Sequence, residues 1–454
     1  MTDSNISPNI PQGPKGKLLT GHIKDFQADP LAYFTHLSNE YGDVAKIKFG
    51  PFQNVYLISN PDLIKEVLVT KQKSFIKSKA MHSLEDVMGQ GLFTSEKEFH
   101  MSQRRLIQPA FKRSHINSYG QDMIDITTDY LSTWKNGEER IITQDMMSIT
   151  LGIICKTMFS MDLKQGYELL GKSVETVIKM AVKRMRPIVR MPLWVPTKNN
   201  RQYKKVIQEL DQIIYGMIEK RREDPVGHND MLSILMNAKD DENRLGMTNK
   251  QVRDELMTTF LAGHETTANA LSWTLYLLSQ NPEVEKKLFD EIDTVIGSRP
   301  PTPDDFKNLT YTQNIIWESL RVYPPSFIVE REVDEDVMIG GYQFKKGEMV
   351  MVCQYVMHRK PEYFDNPESF IPERFENNFI KTIPAYAYFP FGGGSRVCIG
   401  NHFALMEAVL VLACIAQRYR LKLAPDHHEI IPIPTITLRP RRGLRMVVEE
   451  RKSI

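Results

Sequence analysis

Apolar residues along most of the chain recur at the spacing of buried or amphipathic helices. From about Ile116 to Lys287 they follow a helical period, and prolines divide the region into segments. Within it, Thr248 and Gln251 form a capping-box pattern ahead of a long apolar stretch that ends at Gln280. At ~1.5 Å per residue such a helix is roughly 50 Å long. The pattern therefore predicts a central, buried helix.

Short β-type segments lie towards both ends of the chain. Residues 44–49 and 54–59 contain β-branched and aromatic residues, so they are predicted to form strands. A Gly-Pro pair ends the first and an Asn-Pro pair ends the second. Residues 337–339 and 342–344 predict a hairpin around two glycines, and the C-terminal region returns to short strands. No repeat or Gly/Ser-rich linker divides the sequence. We predict a single domain over residues 1–454, mainly α with a small β part.

Composition and charge narrow the class of protein. Lys plus Arg number 58 against 56 for Asp plus Glu, and the net charge of +2 gives no field that would attract nucleic acid. Four cysteines without close pairs fit neither a disulfide framework nor a zinc ribbon. Residues 1–27 contain neither the ~20 apolar residues of a membrane span nor the apolar core of a signal peptide. We expect a cytoplasmic protein with no membrane anchor.

The segment of residues 389–400, Phe-Pro-Phe-Gly-Gly-Gly-Ser-Arg-Val-Cys-Ile-Gly, suits a cysteine that acts as a thiolate ligand. Three consecutive glycines let main-chain amides approach a ligand closely. Those amides, and the N-terminus of a helix predicted over residues 402–418, favour the thiolate form of Cys398. A thiolate opposite a haem face favours cleavage of an O–O bond at the iron. The other three cysteines lie in apolar runs typical of a core: Cys155, Cys353 and Cys414.

The same segment matches the ligand signature F-x-x-G-x-R-x-C-x-G of the cytochrome P450 family at Phe391, Gly394, Arg396, Cys398 and Gly400. The chain resembles soluble bacterial members of that family and its branch of long-chain fatty-acid hydroxylases. The resemblance implies the P450 fold, with a long central helix over a haem b whose iron binds Cys398. It also implies that one oxygen atom of O₂ is inserted into a hydrophobic substrate, such as a fatty acid, terpenoid or steroid.

The resemblance also assigns several charged side chains to the haem. Arg104, Arg331 and Arg396 stand where the family has the arginines that bind the haem propionates, and a guanidinium fork matches a carboxylate. His100 stands where the family usually has Trp, and an imidazole can still donate to a propionate. These four residues are therefore predicted to bind the cofactor.

A second charged set is predicted to support the fold. Glu318 and Arg321 have the i, i+3 spacing of neighbours on one helix face. They resemble the family's Glu-x-x-Arg pair, which is buried and locked to an arginine of a Pro-Glu-Arg-Phe segment, here Arg374. The resemblance implies that this network is a scaffold and not a catalytic group.

The middle of the long helix contains Glu265 and Thr266 among apolar neighbours. A buried carboxyl and a buried hydroxyl compete with the helix backbone for hydrogen bonds, which points to function. They resemble the family's acid and alcohol pair, so Thr266 is expected to hydrogen-bond the bound dioxygen and Glu265 to relay protons. Four residues are candidates for the wall of the substrate pocket: Phe93, Ala262, Ser326 and Phe327. Residues 183–201 resemble the mobile lid of the substrate channel.

We expect no fused reductase, since the chain contains no recognisable flavin or iron–sulfur module. Electrons would come from a separate ferredoxin or flavodoxin with its reductase, and Lys112 and Arg113 are candidates for a basic docking face. Two alternatives stay open. One is a peroxygenase of the same fold that uses H₂O₂, although such relatives usually have Arg-Pro in place of Glu265 and Thr266. The other is a non-catalytic haem sensor or carrier, which would not need those two residues.

Overall fold

The structure, a computed structural model, describes residues 9–161, 163–185, 192–225, 230–239, 246–427 and 430–451. The chain divides into two compact units, described separately below. The β-rich unit comprises Met1–Lys79, Leu320–Phe370 and Arg374–Cys398. The helical unit comprises Ala80–Ser319, Ile371–Glu373 and Ile399–Ile454. Of the predicted lid, residues 186–191 lie outside the described residues.

Helices account for most of the described residues, and strands form small sheets. The helices are α1 (Ile23–Ala28), α2 (Pro30–Tyr41), α3 (Pro61–Lys65), α4 (Lys79–His82), α5 (Glu85–Met88), α6 (Lys97–Ile107), α7 (Arg113–Ser118), α8 (Gly120–Leu131), α9 (Ile142–Phe159), α10 (Leu163–Met185), α11 (Lys198–Glu223), α12 (Met231–Asn237), α13 (Asn249–Gln280), α14 (Pro282–Val295), α15 (Thr310–Val322), α16 (Gln354–Met357) and α17 (Asn401–Arg418). The strands are β1 (Val44–Phe49), β2 (Gln53–Ile58), β3 (Phe75–Ile76), β4 (Glu139–Ile141), β5 (Val329–Val333), β6 (Val337–Ile339), β7 (Tyr342–Phe344), β8 (Met349–Val352), β9 (Tyr419–Leu423), β10 (Pro432–Pro434), β11 (Leu438–Pro440) and β12 (Arg445–Glu450). The predicted class, mainly α with a small β part, is confirmed.

The β-rich unit is built on a sheet with the strand order β1-β2-β8-β5-β3. Strands β1 and β2 pair antiparallel with Val44 opposite Ile58, and β2 runs parallel to β8. Tyr56 and Ile58 belong to one apolar cluster while Val55 and Leu57 belong to another. Because side chains alternate along a strand, β2 is buried on both faces of the sheet. Both early strands and the β6–β7 hairpin are confirmed to within one residue.

Helix α13 is the centre of the helical unit and packs against α9, α11 and α17. It begins after Thr248, whose side chain and that of Gln251 form the predicted capping box, and it ends at Gln280 as expected. Residues are buried along nearly its whole length, and Trp273 donates its Nε1–H to the Leu438 carbonyl over 3.0 Å. The predicted central, buried helix is therefore confirmed.

Small sheets of the C-terminal region complete the helical unit. Strands β4, β12 and β9 form one sheet, and β10 and β11 form an antiparallel hairpin that contributes side chains to the surroundings of α13. The return to short strands near the C-terminus is confirmed. Among the helices of the described ranges, none has the length and apolar character needed to span a bilayer.

Candidate functional site

Cys398 ends a loop whose shape is set by its own backbone. The Cys398 N–H donates to the Phe391 carbonyl over 2.9 Å, and the Val397 N–H donates to the Gly394 carbonyl over 3.2 Å. These two bonds fold the segment back on itself, with Arg396 in the short 3₁₀ turn Gly394–Arg396. Main-chain hydrogen bonds therefore help to fix the position of the cysteine.

Gly394 lets this loop approach the neighbouring chain. Its φ is +65°, a left-handed conformation that side chains rarely adopt, and a Cβ would lie 1.9 Å from the Leu68 carbonyl oxygen. The next residue, Ser395, donates its N–H and its hydroxyl to Gln72 Oε1 over 3.1 and 2.6 Å. Only glycine fits at position 394, which explains physically why the signature requires it there.

The four cysteines, all within the described residues, differ in exposure. Cys398 is exposed, whereas Cys155, Cys353 and Cys414 are buried, as their apolar surroundings in the sequence indicated. Burial raises the thiol pKa of those three to about 12. Because the thiolate is the form that binds metals, the three buried thiols are poor ligands at neutral pH. Cys398 is the cysteine that a ligand can reach.

Helix α17 begins soon after Cys398, with Gly400 as its N-cap residue and Asn401 as its first residue. The predicted helix over residues 402–418 is thus confirmed to within one residue. The first amides of a helix carry a partial positive charge that favours a nearby anion.

The arginines assigned to the propionates lie half-buried in three different elements. Arg331 is in β5 and donates to the Glu330 carbonyl over 2.8 Å, while Arg396 is in the loop before Cys398. Arg104 is in the last turn of α6, in the helical unit. A half-buried guanidinium binds a carboxylate with less competition from water than a fully exposed one.

His100, also in α6, is buried and faces the loop that precedes its own helix. Its Nδ1 lies 3.1 Å from the Leu92 carbonyl oxygen, which can only accept, so this nitrogen carries the proton. This contact was not foreseen from the sequence. Binding of a propionate by His100 stays a prediction. Because Nδ1 donates to the Leu92 carbonyl, Nε2 can donate to a carboxylate only in the doubly protonated imidazolium ring.

In the middle of α13, side-chain donors bind the helix's own carbonyls. The Thr266 hydroxyl donates to the Ala262 carbonyl and His264 Nδ1 to the Phe260 carbonyl, each over 2.8 Å. Thr150 of α9 donates to the His264 carbonyl over 3.0 Å. Such bonds compete with the helix ladder and loosen it locally. Burial lowers the pKa of His264, so its ring is neutral at pH 7.

The Glu265 carboxylate is buried and held by a distant side chain. Its Oε1 accepts the Thr437 hydroxyl over 2.6 Å, and Asn269 Nδ2 donates to the same hydroxyl oxygen over 3.0 Å. Thr437 directly precedes β11, 172 residues away along the chain. No motif links these positions, so sequence reasoning missed Thr437 and Asn269. Together they fix the orientation of a group able to take up and release a proton.

The residues assigned to the scaffold are Glu318 and Arg321, both fully buried, and Arg374, which is half-buried. Glu318 Oε1 accepts the Ile371 N–H over 2.9 Å. Arg321 donates to three backbone carbonyls, those of His358, Pro367 and Ser369. Arg374 donates to the Asn366 carbonyl over 3.1 Å. Buried charged groups with backbone partners fix chain segments, so these contacts suit a structural role.

The four pocket candidates differ in exposure and in the unit that contains them. Phe93 and Ala262 are half-buried and belong to the helical unit. Ser326 is exposed and Phe327 is buried, and both belong to the β-rich unit. Their role as pocket wall stays a prediction.

Comparison with known proteins identifies the class that this fold and cysteine loop define. A family model described as "Cytochrome P450" matches residues 11–446. Cyclooctatin synthase of Streptomyces melanosporofaciens is 33% identical over 96% of this chain and 95% of its own length. Cyclooctat-9-en-7-ol 5-monooxygenase of the same organism is 34% identical over 90% and 88%, respectively. Pentalenene oxygenase of Streptomyces avermitilis is 31% identical over 94% of each chain. The chain belongs to the cytochrome P450 family.

Family membership confirms the predicted fold, the reaction class and the cofactor. The chain is a P450 monooxygenase that acts on a hydrophobic substrate with electrons from redox partners, and the family uses haem with a cysteine thiolate ligand. The residues present fit that group. An exposed cysteine stands in a loop fixed by its backbone, and half-buried guanidiniums suit propionates.

Proposed function

We propose that this chain inserts one oxygen atom of O₂ into a terpenoid-like substrate, and that Cys398 would be the thiolate ligand of a haem b. The observation that carries the ligand assignment is the contrast among the cysteines, since Cys398 is exposed and the other three are buried. The names of two relatives, a pentalenene oxygenase and a monooxygenase of cyclooctat-9-en-7-ol, support the terpenoid class over fatty acids or steroids.

When bound, the haem supplies the redox chemistry, and the protein supplies a ligand, orientation and protons. Gly394 allows the left-handed turn before Cys398, Gly400 is the N-cap residue of α17 after it, and Phe391 accepts the Cys398 N–H through its carbonyl. We assign propionate binding to four half-buried or buried side chains: Arg104, Arg331, Arg396 and His100. Glu318, Arg321 and Arg374 are assigned to the scaffold.

Protons are proposed to pass through the middle of α13. Glu265 Oε1 is held by Thr437, which leaves Oε2 as the atom that gives or takes a proton. Thr266 donates to Ala262 in the helix, and rotation of its hydroxyl would let it donate to the reacting oxygen instead. The acid and the alcohol are thus a proton carrier and a positioned donor, which is the pair that a peroxygenase would not need.

The substrate pocket and the docking face for the electron donor are assigned as follows. Phe93, Ala262, Ser326 and Phe327 are assigned to the substrate pocket, whose wall must be largely apolar. The electron donor is a separate ferredoxin or flavodoxin, and Lys112 and Arg113, both exposed, are the residues assigned to dock it. We also propose one catalytic domain over residues 1–454 and a cytoplasmic location, which the scarcity of cysteine supports.

The test is turnover with a surrogate ferredoxin and its reductase under ¹⁸O₂, using a panel of terpene hydrocarbons and alcohols. We expect hydroxylated products that contain one ¹⁸O atom and that require the reductase. The Cys398→Ser variant serves as the control and should give none. Product formed from H₂O₂ alone, with no dependence on reductase, would establish a peroxygenase instead. Turnover of fatty acids with no terpenoid product would refute the substrate class.

A further inference from the structure

The loop of residues 89–95, here called the Phe93 loop, is clamped at the Leu92 peptide from two sides. The Leu92 N–H donates to Glu255 Oε2 of α13 over 3.0 Å, and the Leu92 carbonyl accepts from His100 Nδ1 of α6 over 3.1 Å. These bonds fix the peptide planes before and after Leu92. The second plane contains the nitrogen of Phe93, so the clamp sets where that side chain starts.

Asp254, the residue before Glu255 in α13, also binds this loop. Its Oδ2 accepts the Gln90 N–H over 3.0 Å and the Lys250 ammonium over 2.8 Å, while its Oδ1 accepts from Arg253 Nη1 over 3.0 Å. Asp254 therefore has two cationic partners in addition to the loop. Glu255, in contrast, accepts the Leu92 N–H, and this bond joins it to the loop.

Retention of Glu255 in this place has a physical cost. The side chain is 0% exposed, and burial raises its pKa to about 7, with the charge of Asp254 adding to the shift. The Leu92 N–H opposes that shift, because it stabilises the ionised carboxylate. A buried carboxyl of this kind is destabilising. The contact that offsets this cost is the hydrogen bond that fixes the loop.

Gly91 shows how closely the loop must approach the helix. A Cβ at position 91 would lie 2.2 Å from Thr258 Oγ1 and 2.6 Å from the Asp254 carbonyl oxygen, both in α13. No larger residue fits unless the loop moves away. Substitution at this glycine therefore displaces the loop while leaving both carboxylates intact.

We propose that Glu255 is a positioning residue that holds the Phe93 loop on α13 and thereby sets the affinity of the active site for large apolar ligands. The inference rests on the proposed function in one respect, namely that Phe93 lines the substrate pocket. Glu255 itself touches a backbone amide and not the substrate, so its effect passes through Leu92 to Phe93.

The experiment compares three variants of the haem-loaded protein with wild type. Glu255→Ala removes the acceptor, Glu255→Gln keeps a neutral acceptor for the Leu92 N–H, and Gly91→Ala pushes the loop off the helix. Glu285→Gln is the matched control, since Glu285 is a buried carboxylate whose partner is Arg420 of β9. The first readout is hydrogen exchange of the peptide that contains Leu92 and Phe93. The second is the dissociation constant for 4-phenylimidazole and for imidazole, followed by the haem spectrum.

We expect Glu255→Ala and Gly91→Ala to exchange the loop amides at least about tenfold faster and to weaken 4-phenylimidazole by about five- to tenfold, with imidazole unchanged. Imidazole is the small ligand that needs no pocket wall. Glu255→Gln should restore most of both properties, and Glu285→Gln should match wild type. Unchanged loop exchange in both Glu255→Ala and Gly91→Ala would overturn the clamp. Faster exchange with unchanged 4-phenylimidazole affinity would overturn the link to the pocket.

The proposed function and the positioning role of Glu255 can be refuted independently. The ferrous-CO spectrum of each protein reports the haem–thiolate site, independently of the loop. Loss of that spectrum in wild type would refute the proposed function while the exchange measurement still decides whether Glu255 holds the loop.

Discussion

The loop before Cys398 and the middle of α13 are the two chemically important regions, and they are built in different ways. The cysteine loop is folded by short-range backbone bonds, such as that from the Cys398 N–H to the Phe391 carbonyl, and is joined to Gln72 through Ser395. The middle of α13 is held by side chains distant in sequence, since Thr437 binds Glu265 from 172 residues away. The local fold of the loop thus depends on backbone shape, whereas the orientation of the Glu265 carboxylate depends on a tertiary partner.

This difference determines which substitutions should matter in each region. In the cysteine loop, the critical positions besides the ligand are glycines whose lack of a side chain allows the backbone to close. Around the middle of α13, the critical positions include residues outside the helix that no local motif marks, such as Thr437.

Gly394→Ala should abolish most haem loading and destabilise the fold by about 3 kcal/mol or more, because strain at a left-handed position and a backbone clash coincide. Its Cβ would lie 1.9 Å from the Leu68 carbonyl oxygen. Gly392→Ala is the matched control, since Gly392 has φ +72° but no atom within 4 Å of the added Cβ. The control should cost only about 1–2 kcal/mol. Chemical denaturation and haem content measure both, and equal losses would show that the clash with the Leu68 carbonyl is not the critical factor.

Thr266→Ala should leave haem content unchanged while the ratio of product to NADH consumed falls at least about tenfold, because a positioned proton donor is lost. The reduced oxygen would then be released as H₂O₂. The control is Thr267→Ala, which removes a neighbouring hydroxyl that donates to the Gly263 carbonyl over 3.3 Å. Coupling should persist in the control. If Thr266→Ala remains fully coupled, proton delivery does not depend on this hydroxyl.

Thr437→Val should lower coupling by about three- to tenfold, since the Glu265 carboxylate loses its donor while the shape of the side chain is kept. Thr435→Val is the comparison, because its hydroxyl donates to the Thr437 carbonyl over 2.8 Å and does not contact Glu265. The same product-to-NADH ratio measures both. Equal behaviour of the two variants would mean that the orientation of Glu265 is set by something other than Thr437.

Glu407 of α17 should affect stability alone, through the pH dependence of the free energy of unfolding. Burial raises its pKa from 4.5 to about 8, so the folded protein keeps a proton that the unfolded chain loses. The retained proton contributes fully to the free energy of unfolding below pH 4.5. This contribution is lost as the pH rises to about 8, at ~1.4 kcal/mol per pH unit. Glu407→Gln lacks an ionisable group, so its free energy of unfolding should fall less over that range. Parallel pH curves for the two proteins would contradict the buried, protonated state.

The sequence alone predicted those parts of the molecule that local rules determine. The capping pair Thr248 and Gln251 located the start of α13, and β-branched and aromatic residues bounded by Gly-Pro and Asn-Pro pairs located β1 and β2. The cysteine loop was identified because its glycines and its cysteine are adjacent in the chain. In contrast, the bonds of Glu265 to Thr437 and of Glu255 to Leu92 join segments that only tertiary folding brings together. No periodicity or spacing encodes such pairs.

The absorption spectrum of the ferrous-CO complex tests the central claim, thiolate ligation by Cys398, most directly. Fresh, folded wild-type protein should show the strongly red-shifted Soret band that marks a thiolate opposite the bound CO. In Cys398→His this band should disappear even where haem is retained, while Cys414→Ala, which alters a buried thiol, should keep it. A wild-type spectrum without the shifted band, or a shifted band that survives in Cys398→His, would contradict the assignment.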